Sequence, residues 1–381
     1  QGGAWRAIAS RVVRRPVVAL IAGAAVLAIM ATGLFGASIG LSQTEKFRVA
    51  SESAAGLEVL GEHFPAGEAQ PMIVIANTSA VDEVVETAEA IDGVIRVTVV
   101  SESRDASLTR ILVTGEPAPS TPESLELVDE LRTTLHEVDG ADALVGGAVA
   151  TDVDARAGNV QDLMLIAPLV LLVSFVVLLI LLRSLVAPVL LMLVNLVSAV
   201  AAIGAGSWLS RVFFGQDALD LQVPLLSFLF LVALGIDYTI FLVHRARAEA
   251  VAHGTKQGMV RAVAGTGGVI TSAGIVLAGV FAALGVLPLV TLGQIGLIVG
   301  LGVIVDTFVV RTIIVPAIFS LLGDRIWWPG RVPGSDVPNA ELGSGPVASG
   351  STVSGSAESA DAAAGDGGES VHDEHSEALL R

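Results

Sequence analysis

Apolar residues along the chain fall into two regimes. Long, nearly unbroken runs occupy 17–39, 163–182, 185–209, 224–243, 262–287 and 289–322, whereas 41–158 alternates short apolar stretches with polar ones. About 20 apolar residues suffice for an α-helix to cross a bilayer, so the six runs predict six transmembrane helices. The last run has 34 residues and would extend ~51 Å as a straight helix against a ~30 Å hydrocarbon core. Its first residues are therefore expected to form a cap, with the crossing itself at 295–322, bent near Pro316. Arg183 and Ser184 alone separate the second and third runs, which makes those two helices antiparallel neighbours. Pro288 marks a tight turn between the fifth and sixth.

Between the first and second runs the periodicity is that of a soluble α/β domain. Helices are expected at 51–64, with Leu57 and Leu60 on one side, at 81–91, and at 121–138, where Thr121 serves as N-cap and Pro122 takes the first helical position. Strands are expected at 72–76, 94–100, 108–113 and 143–145, with 101–107 as a hairpin connection. Strand, helix, strand, strand, helix, strand is the split βαβ order. The predicted fold class is an α-helical polytopic membrane protein of six transmembrane helices with one extracytoplasmic ferredoxin-like α/β domain. Its layout is a basic N-terminus (1–16), a first transmembrane helix (17–39), the α/β domain (41–158), a five-helix bundle (163–322) and an acidic tail (323–381) expected to be disordered.

Composition sharpens this picture. Of the 381 residues, 53% are hydrophobic and 15% charged, against ~45–50% and ~25% for a soluble domain, and mean hydropathy is +0.75. The net charge of −17 is local, since 41–161 alone carries 22 acids against 7 bases. With no cysteine, disulfides and thiolate metal sites are excluded; the six histidines do not cluster, so no metal site is expected. Arg6, Arg11, Arg14 and Arg15 precede the first run. The rival reading there is a signal peptide, but 23 residues exceed the usual apolar core of ~7–15. Arg245, Arg247, Lys256 and Arg261 cluster after the fourth run. Both basic clusters belong inside, and alternation from the first helix agrees, placing both termini in the cytoplasm. Nothing suggests nucleic-acid binding; membrane lipids are the surrounding partner. Trp327 and Trp328 are expected in the interfacial belt.

Candidate chemistry lies in the fourth run, where Asp237 stands inside an apolar stretch beside Tyr238, the single tyrosine. A charge at that depth costs at least ~2.5–3.5 kcal/mol. Asp237 is a structural carboxylate, a cation ligand or a proton carrier; hydrocarbon disfavours its charged form and so brings proton loading and release within reach. Gly235, on the same turn, admits a neighbouring backbone. Thr271 and Ser272 in the fifth run are candidates to hydrogen-bond Asp237, against the alternative that each bonds its own backbone. Asp306 in the sixth run either joins the proton path or locks packing. Arg311, five residues on, is ~140° away on a regular helix and is expected instead to snorkel to the inner interface. Glycines 265, 267, 268, 274 and 279 on the fifth run, and 293, 296, 300 and 302 on the sixth, predict close helix packing.

The Gly235-Ile236-Asp237-Tyr238-Thr239 segment, the basic loop, and the stretch from Gly302-Val303-Ile304-Val305-Asp306-Thr307 through Val315-Pro316-Ala317 to Trp327-Trp328-Pro329 resemble the C-terminal half of an MMPL-family transporter, of the resistance–nodulation–division superfamily. The resemblance is strongest over 163–329. It implies export of lipids or other hydrophobic molecules across the cytoplasmic membrane, driven by protons with no other cofactor, and a relay in which Asp237 and Tyr238 match one Asp-Tyr pair. It also implies a partner, either a missing N-terminal half or a second copy; a start at Gln1 rather than methionine favours the former. Two rivals remain: a non-pumping relative, sterol-sensing-like or accessory to protein secretion, and an intramembrane aspartyl protease. Against the protease, the order Asp237-Tyr238 is reversed, and Asp306 follows Gly302-Val303-Ile304-Val305, so the motif Gly-x-Gly-Asp is absent. In a topology assay, a reporter fused after Ala155 is expected to read outside and one after Ala252 inside; the reverse pattern contradicts this orientation.

Overall fold

The computed structural model describes residues 2–41 and 52–330. The first residue of the helix expected at 51–64, the side chain of Leu57, and the tail expected to be disordered beyond 330 lie outside the described residues. Helix α1 (Gly2–Arg14) is joined to α2 (Pro16–Ala31) through Arg15, whose φ of −133° and ψ of 63° break the helix. The residue before a proline is driven out of the helical region, so Pro16 sets this bend. Helix α2 ends well before residue 39, where hydropathy alone placed the end of the span. Gly33 lies so close to Gly204 that a Cβ would sit 2.0 Å from its carbonyl oxygen, and Gly36 has φ +77°. The chain then leaves the helix for a short strand, β1 (Ser38–Ile39).

The α/β region follows the expected order. After α3 (Glu52–His63) come β2 (Met72–Asn77), α4 (Val81–Glu89), β3 (Val94–Glu102), β4 (Leu108–Gly115), α5 (Pro122–His136) and β5 (Leu144–Gly146). The strands form one sheet in the order β3-β4-β2-β5, every pair antiparallel. Alternation decides its inner face: Met72, Val74 and Ala76 of β2 are buried, as are Ile111 and Val113 of β4, and they meet Val84 of α4 with Val128, Leu131 and Leu135 of α5. The Thr121 hydroxyl caps α5 by accepting from the Ser124 amide at 3.3 Å. At the β3–β4 turn Asp105 accepts from the hydroxyls of Ser103 and Ser107 and from the Ser107 amide. Those bonds pull its carboxyl down to about 2.

No linker separates this region from the next span. Helix α6 (Ala148–Leu182) starts directly after β5 and continues unbroken, so the boundary expected at 158 falls inside a helix. Arg132 of α5 grips Asp154 of α6 with two bonds of 2.6 and 3.0 Å and fixes the helix against the sheet. Arg183, in the left-handed conformation, ends α6, and α7 (Val186–Phe214) turns back beside it. Strand β6 (Ala218–Leu219) then pairs in parallel with β1.

Helix α8 (Val223–Leu284) is 62 residues long, ~93 Å if straight. It is interrupted at Gly254, with φ 74° and ψ 162°. Its two arms fold onto each other, because a Cβ on Gly258 would lie 2.7 Å from the amide nitrogen of Ala250. Helix α9 (Val290–Val305), a π-helical segment (Asp306–Ile314) and α10 (Val315–Leu322) complete the bundle. The bend expected near Pro316 is this widened segment. A proline lacks the N–H that would close the preceding turn, and its ring crowds the carbonyl four residues back.

Five helical stretches, Pro16–Leu34, Ala148–Leu182, Val186–Phe214, Val223–Leu284 and Val290–Trp327, are long and apolar enough to cross a membrane. Burial in them is inverted relative to a soluble protein. Val17, Ile29, Ile180 and Val276 point outward, while Asn195, Ser207, Thr266, Gln294 and Arg311 are buried. That distribution is the one expected where hydrocarbon is the outer solvent. The chain is a multi-pass membrane protein. Trp327 departs from the expected belt position: it is 1% exposed, donates to the Thr255 hydroxyl at 3.0 Å and packs edge-on against Phe319. Trp328 remains exposed.

The conformation at Gly254 is essentially glycine-only, so Gly254→Ala is expected to cost about 1–3 kcal/mol. Unfolding in detergent measures this. An unchanged midpoint would show that the break is not a fixed feature of the helix.

Candidate functional site

Of the candidate residues, Gly235, Tyr238, Asp306 and Arg311 meet where the first arm of α8 meets the π-helical segment. Successive residues on an α-helix are about 100° apart, so Asp237 and Tyr238 face different surroundings although they are adjacent. Tyr238 turns partly inward; Asp237 is exposed on the surface of the bundle. It shares that outer stripe with Phe230, seven residues before it, and Phe241, four residues after. Among the described residues Asp237 has no hydrogen-bond or ion-pair partner. The partners expected from the fifth run do not reach it: the Ser272 hydroxyl donates to the carbonyl of Val269 in its own helix at 2.9 Å, and Thr271 has no hydrogen bond to it. A serine on a lipid-facing helix satisfies itself locally because the backbone is the nearest acceptor.

Asp306 and Arg311 behave differently from their expectation. Asp306 is 8% and Arg311 4% exposed, and the two form a buried ion pair. Snorkelling of Arg311 is therefore ruled out. The ~140° offset assumed a regular α-helix, but hydrogen bonds in a π-helix run from i to i+5 and stack residues five apart. The Thr312 hydroxyl donating to the Thr307 carbonyl at 2.9 Å repeats that register. The Arg311 guanidinium also lies 4.7 Å from the centroid of the Tyr238 ring and 3.5 Å from the Gly235 carbonyl. A cation over an aromatic face in a desolvated site contributes about 2 kcal/mol. Asp306 thus anchors Arg311, and Arg311 braces Tyr238.

Gly235 makes room for a side chain rather than for a neighbouring backbone. A Cβ there would stand 2.1 Å from Oδ1 of Asn195, whose Nδ2 donates to the Val232 carbonyl at 3.1 Å. Asn195, on α7, is a site residue that the sequence reading did not single out. Its signal was present: it is the only amide side chain in 185–209, and such a group in a span requires a partner. A small cavity of about 10 Å³ touches Gly235, Tyr238, Gly302, Asp306 and Arg311, roughly the volume that one water needs. Among the described residues Nε of Arg311 and the Thr307 hydroxyl, both buried, lack a hydrogen-bond partner. The glycines on the sixth run pack as expected, since a Cβ on Gly296 would lie 2.3 Å from the Phe281 carbonyl.

Comparison with known proteins places this geometry in context. The chain matches the family model described as MMPL family over residues 48–338. It is 42% identical over 338 residues to membrane protein SCO0839 of Streptomyces coelicolor, covering 86% of this chain and 48% of that protein. Against the apo-petrobactin exporter of Bacillus anthracis it is 31% identical over 333 residues, covering 84% and 44%. Against transport protein MmpL6 of Mycobacterium tuberculosis it is 36% identical over 244 residues, covering 60% and 59%. The chain spans about half the length of these relatives.

Breaking a buried ion pair from one side strands the other charge. Arg311→Met is expected to destabilise the bundle by about 3–5 kcal/mol, and adding Asp306→Leu is expected to restore most of that loss. Unfolding midpoints of the single and double variants check this; a double variant no more stable than Arg311→Met would contradict the pairing.

Proposed function

Because this chain belongs to the MMPL family, we propose that it forms one half of a proton-driven exporter in the cytoplasmic membrane, moving lipids or other hydrophobic molecules outward. Asp237 loads and releases the proton. The observation that carries this reading is the match to the MMPL family over residues 48–338; Asp237 itself lies on an exposed stripe between Phe230 and Phe241 and not among polar groups of the fifth and sixth runs, as a relay within this chain alone would require. A carboxylate left against lipid costs at least ~2.5–3.5 kcal/mol, which a covering protein surface with polar groups removes. The missing N-terminal half or a second copy supplies that surface. Its approach also makes protonation of Asp237 responsive to the arrangement of the two halves.

Within this reading Tyr238 passes a hydrogen bond to the ionised Asp237, and Asp306 contributes by holding Arg311 against the tyrosine ring. The relay needs no cofactor beyond protons. The two arms of α8 on either side of Gly254 cross separately, which brings the crossings to six. The sheet order β3-β4-β2-β5 with two helices supports a ferredoxin-like domain, read here as the extracytoplasmic, porter-like part. Both termini then lie in the cytoplasm. The relative named as an apo-petrobactin exporter supports a role in export.

Proteoliposomes containing the protein together with its covering half test the relay. Asp237→Asn is expected to abolish export driven by a pH gradient, and Tyr238→Phe to slow it several-fold with a shifted pH dependence. Full-rate transport by Asp237→Asn would overturn the assignment. Molecules that accumulate in cells lacking the protein identify the substrate class.

A further inference from the structure

The end of the bundle opposite the α/β domain is tied by a polar network that takes no part in the relay. Helix α6 leaves β5 and reaches that end at Arg183, where the chain turns into α7. The first arm of α8 reaches it at Gly254, where the chain turns into the second arm. Residues 323–330 follow α10, begin as a short 3-10 helix (Gly323–Trp327) and touch both turns. On the α6–α7 turn, the buried Ser184 hydroxyl donates to the Ile326 carbonyl at 2.7 Å. The Leu185 amide donates to the Trp328 carbonyl at 2.8 Å. Gly330 is so close that a Cβ there would stand 2.8 Å from the Arg183 carbonyl oxygen. On the α8 turn, the Trp327 indole donates to the Thr255 hydroxyl at 3.0 Å, and that hydroxyl donates to Asp324 at 2.6 Å. Arg247 spans the two turns: its guanidinium lies 5.6 Å from the centroid of the Trp327 ring and donates to the Leu182 carbonyl at the end of α6.

A hydroxyl has one proton to give and lone pairs with which to accept, so Thr255 joins Trp327 to Asp324 only by doing both. In a buried chain each bond polarises the next, and losing the middle member unmakes the whole. Such bonds are directional and fix one relative position, which apolar contact does not. Few other contacts fasten α6 at this end. Its buried residues are Val149 and Ala150 beside the sheet and Leu178 and Leu182 beside the turn; none of 151–177 is buried. Near its start α6 is tied to the segment before α8 by Asn159, which donates to the Leu221 carbonyl at 3.0 Å. We infer that residues 323–330 are a clasp that holds the α6–α7 hairpin against the α8 hairpin, and that Thr255 is the positioning residue on which it closes. With the clasp open, the two hairpins part at this end while Asn159 keeps them together at the other. The assignment concerns the placement of the hairpins and stands whether or not Asp237 carries a proton.

The chain has no cysteine, so Ile180→Cys on α6 and Val269→Cys on the second arm of α8, both at exposed positions, can be spin-labelled without background. Double electron–electron resonance on the full chain in lipid nanodiscs is expected to give a single distance when the clasp is intact. Thr255→Val, which strands the buried Trp327 N–H, is expected to add a second, longer distance. Thr255→Ser, which keeps the hydroxyl, is expected to restore the single one. Asp324→Ala removes the final acceptor from an exposed position, so the core stays packed, and it is expected to add the same longer distance; it decides the matter if Thr255→Val does not fold. An unchanged single distance in Asp324→Ala or Thr255→Val, or the longer distance in Thr255→Ser as well, would overturn the clasp.

Discussion

A guanidinium and a carboxylate held together in a low-dielectric interior set the terms for the membrane part of this protein. Neither Asp306 nor Arg311 could remain there alone, because an isolated ion in hydrocarbon costs several kcal/mol. Five residues apart, they meet only if the helix widens, and the π-helical segment provides that widening. Pro316, just beyond it, removes the N–H that would otherwise tighten the turn. The pair then positions Arg311 over Tyr238, and the room beside Gly235 is filled by Asn195. One electrostatic requirement thereby orders side chains from α7, α8 and the π-helical segment around a single small cavity.

The outer face of α8 shows what happens without such pairing. Asp237 is next to Tyr238 in sequence but points away from the cluster, between two exposed phenylalanines. The two carboxylates of the bundle therefore have separate situations: one is neutralised inside, the other is presented at the surface. The chain spans about half the length of the relatives it matches.

Much of this was legible in the sequence. Hydropathy located the apolar stretches, of which five helical ones are long and apolar enough to cross a membrane against the six expected, and alternation and capping at Thr121 located the elements of the α/β region within a few residues. The failures share a physical cause, which is that pattern reading assumes regular geometry and nearest neighbours. The first span ended early because Gly33 packs on the Gly204 backbone, a contact 171 positions away in sequence. Arg311 was assigned to the interface because a regular helix separates it from Asp306. Trp327 was placed in the belt because aromatic residues at span ends usually sit there, whereas here a hydroxyl on α8 accepts its N–H in the interior. Asn195 carried a readable signal, a lone amide in an apolar run, but its partner across α8 was not readable from one sequence.

The most direct measurement of proton exchange at Asp237 is infrared difference spectroscopy of the carboxyl C=O stretch, recorded in lipid nanodiscs as pH is varied, with wild type compared to Asp237→Asn. The account predicts a protonated-carboxyl band in wild type that disappears reversibly as pH rises and is missing from the variant. Identical spectra for the two proteins across the titration would show that Asp237 does not exchange a proton, and the proposed mechanism would fail with it.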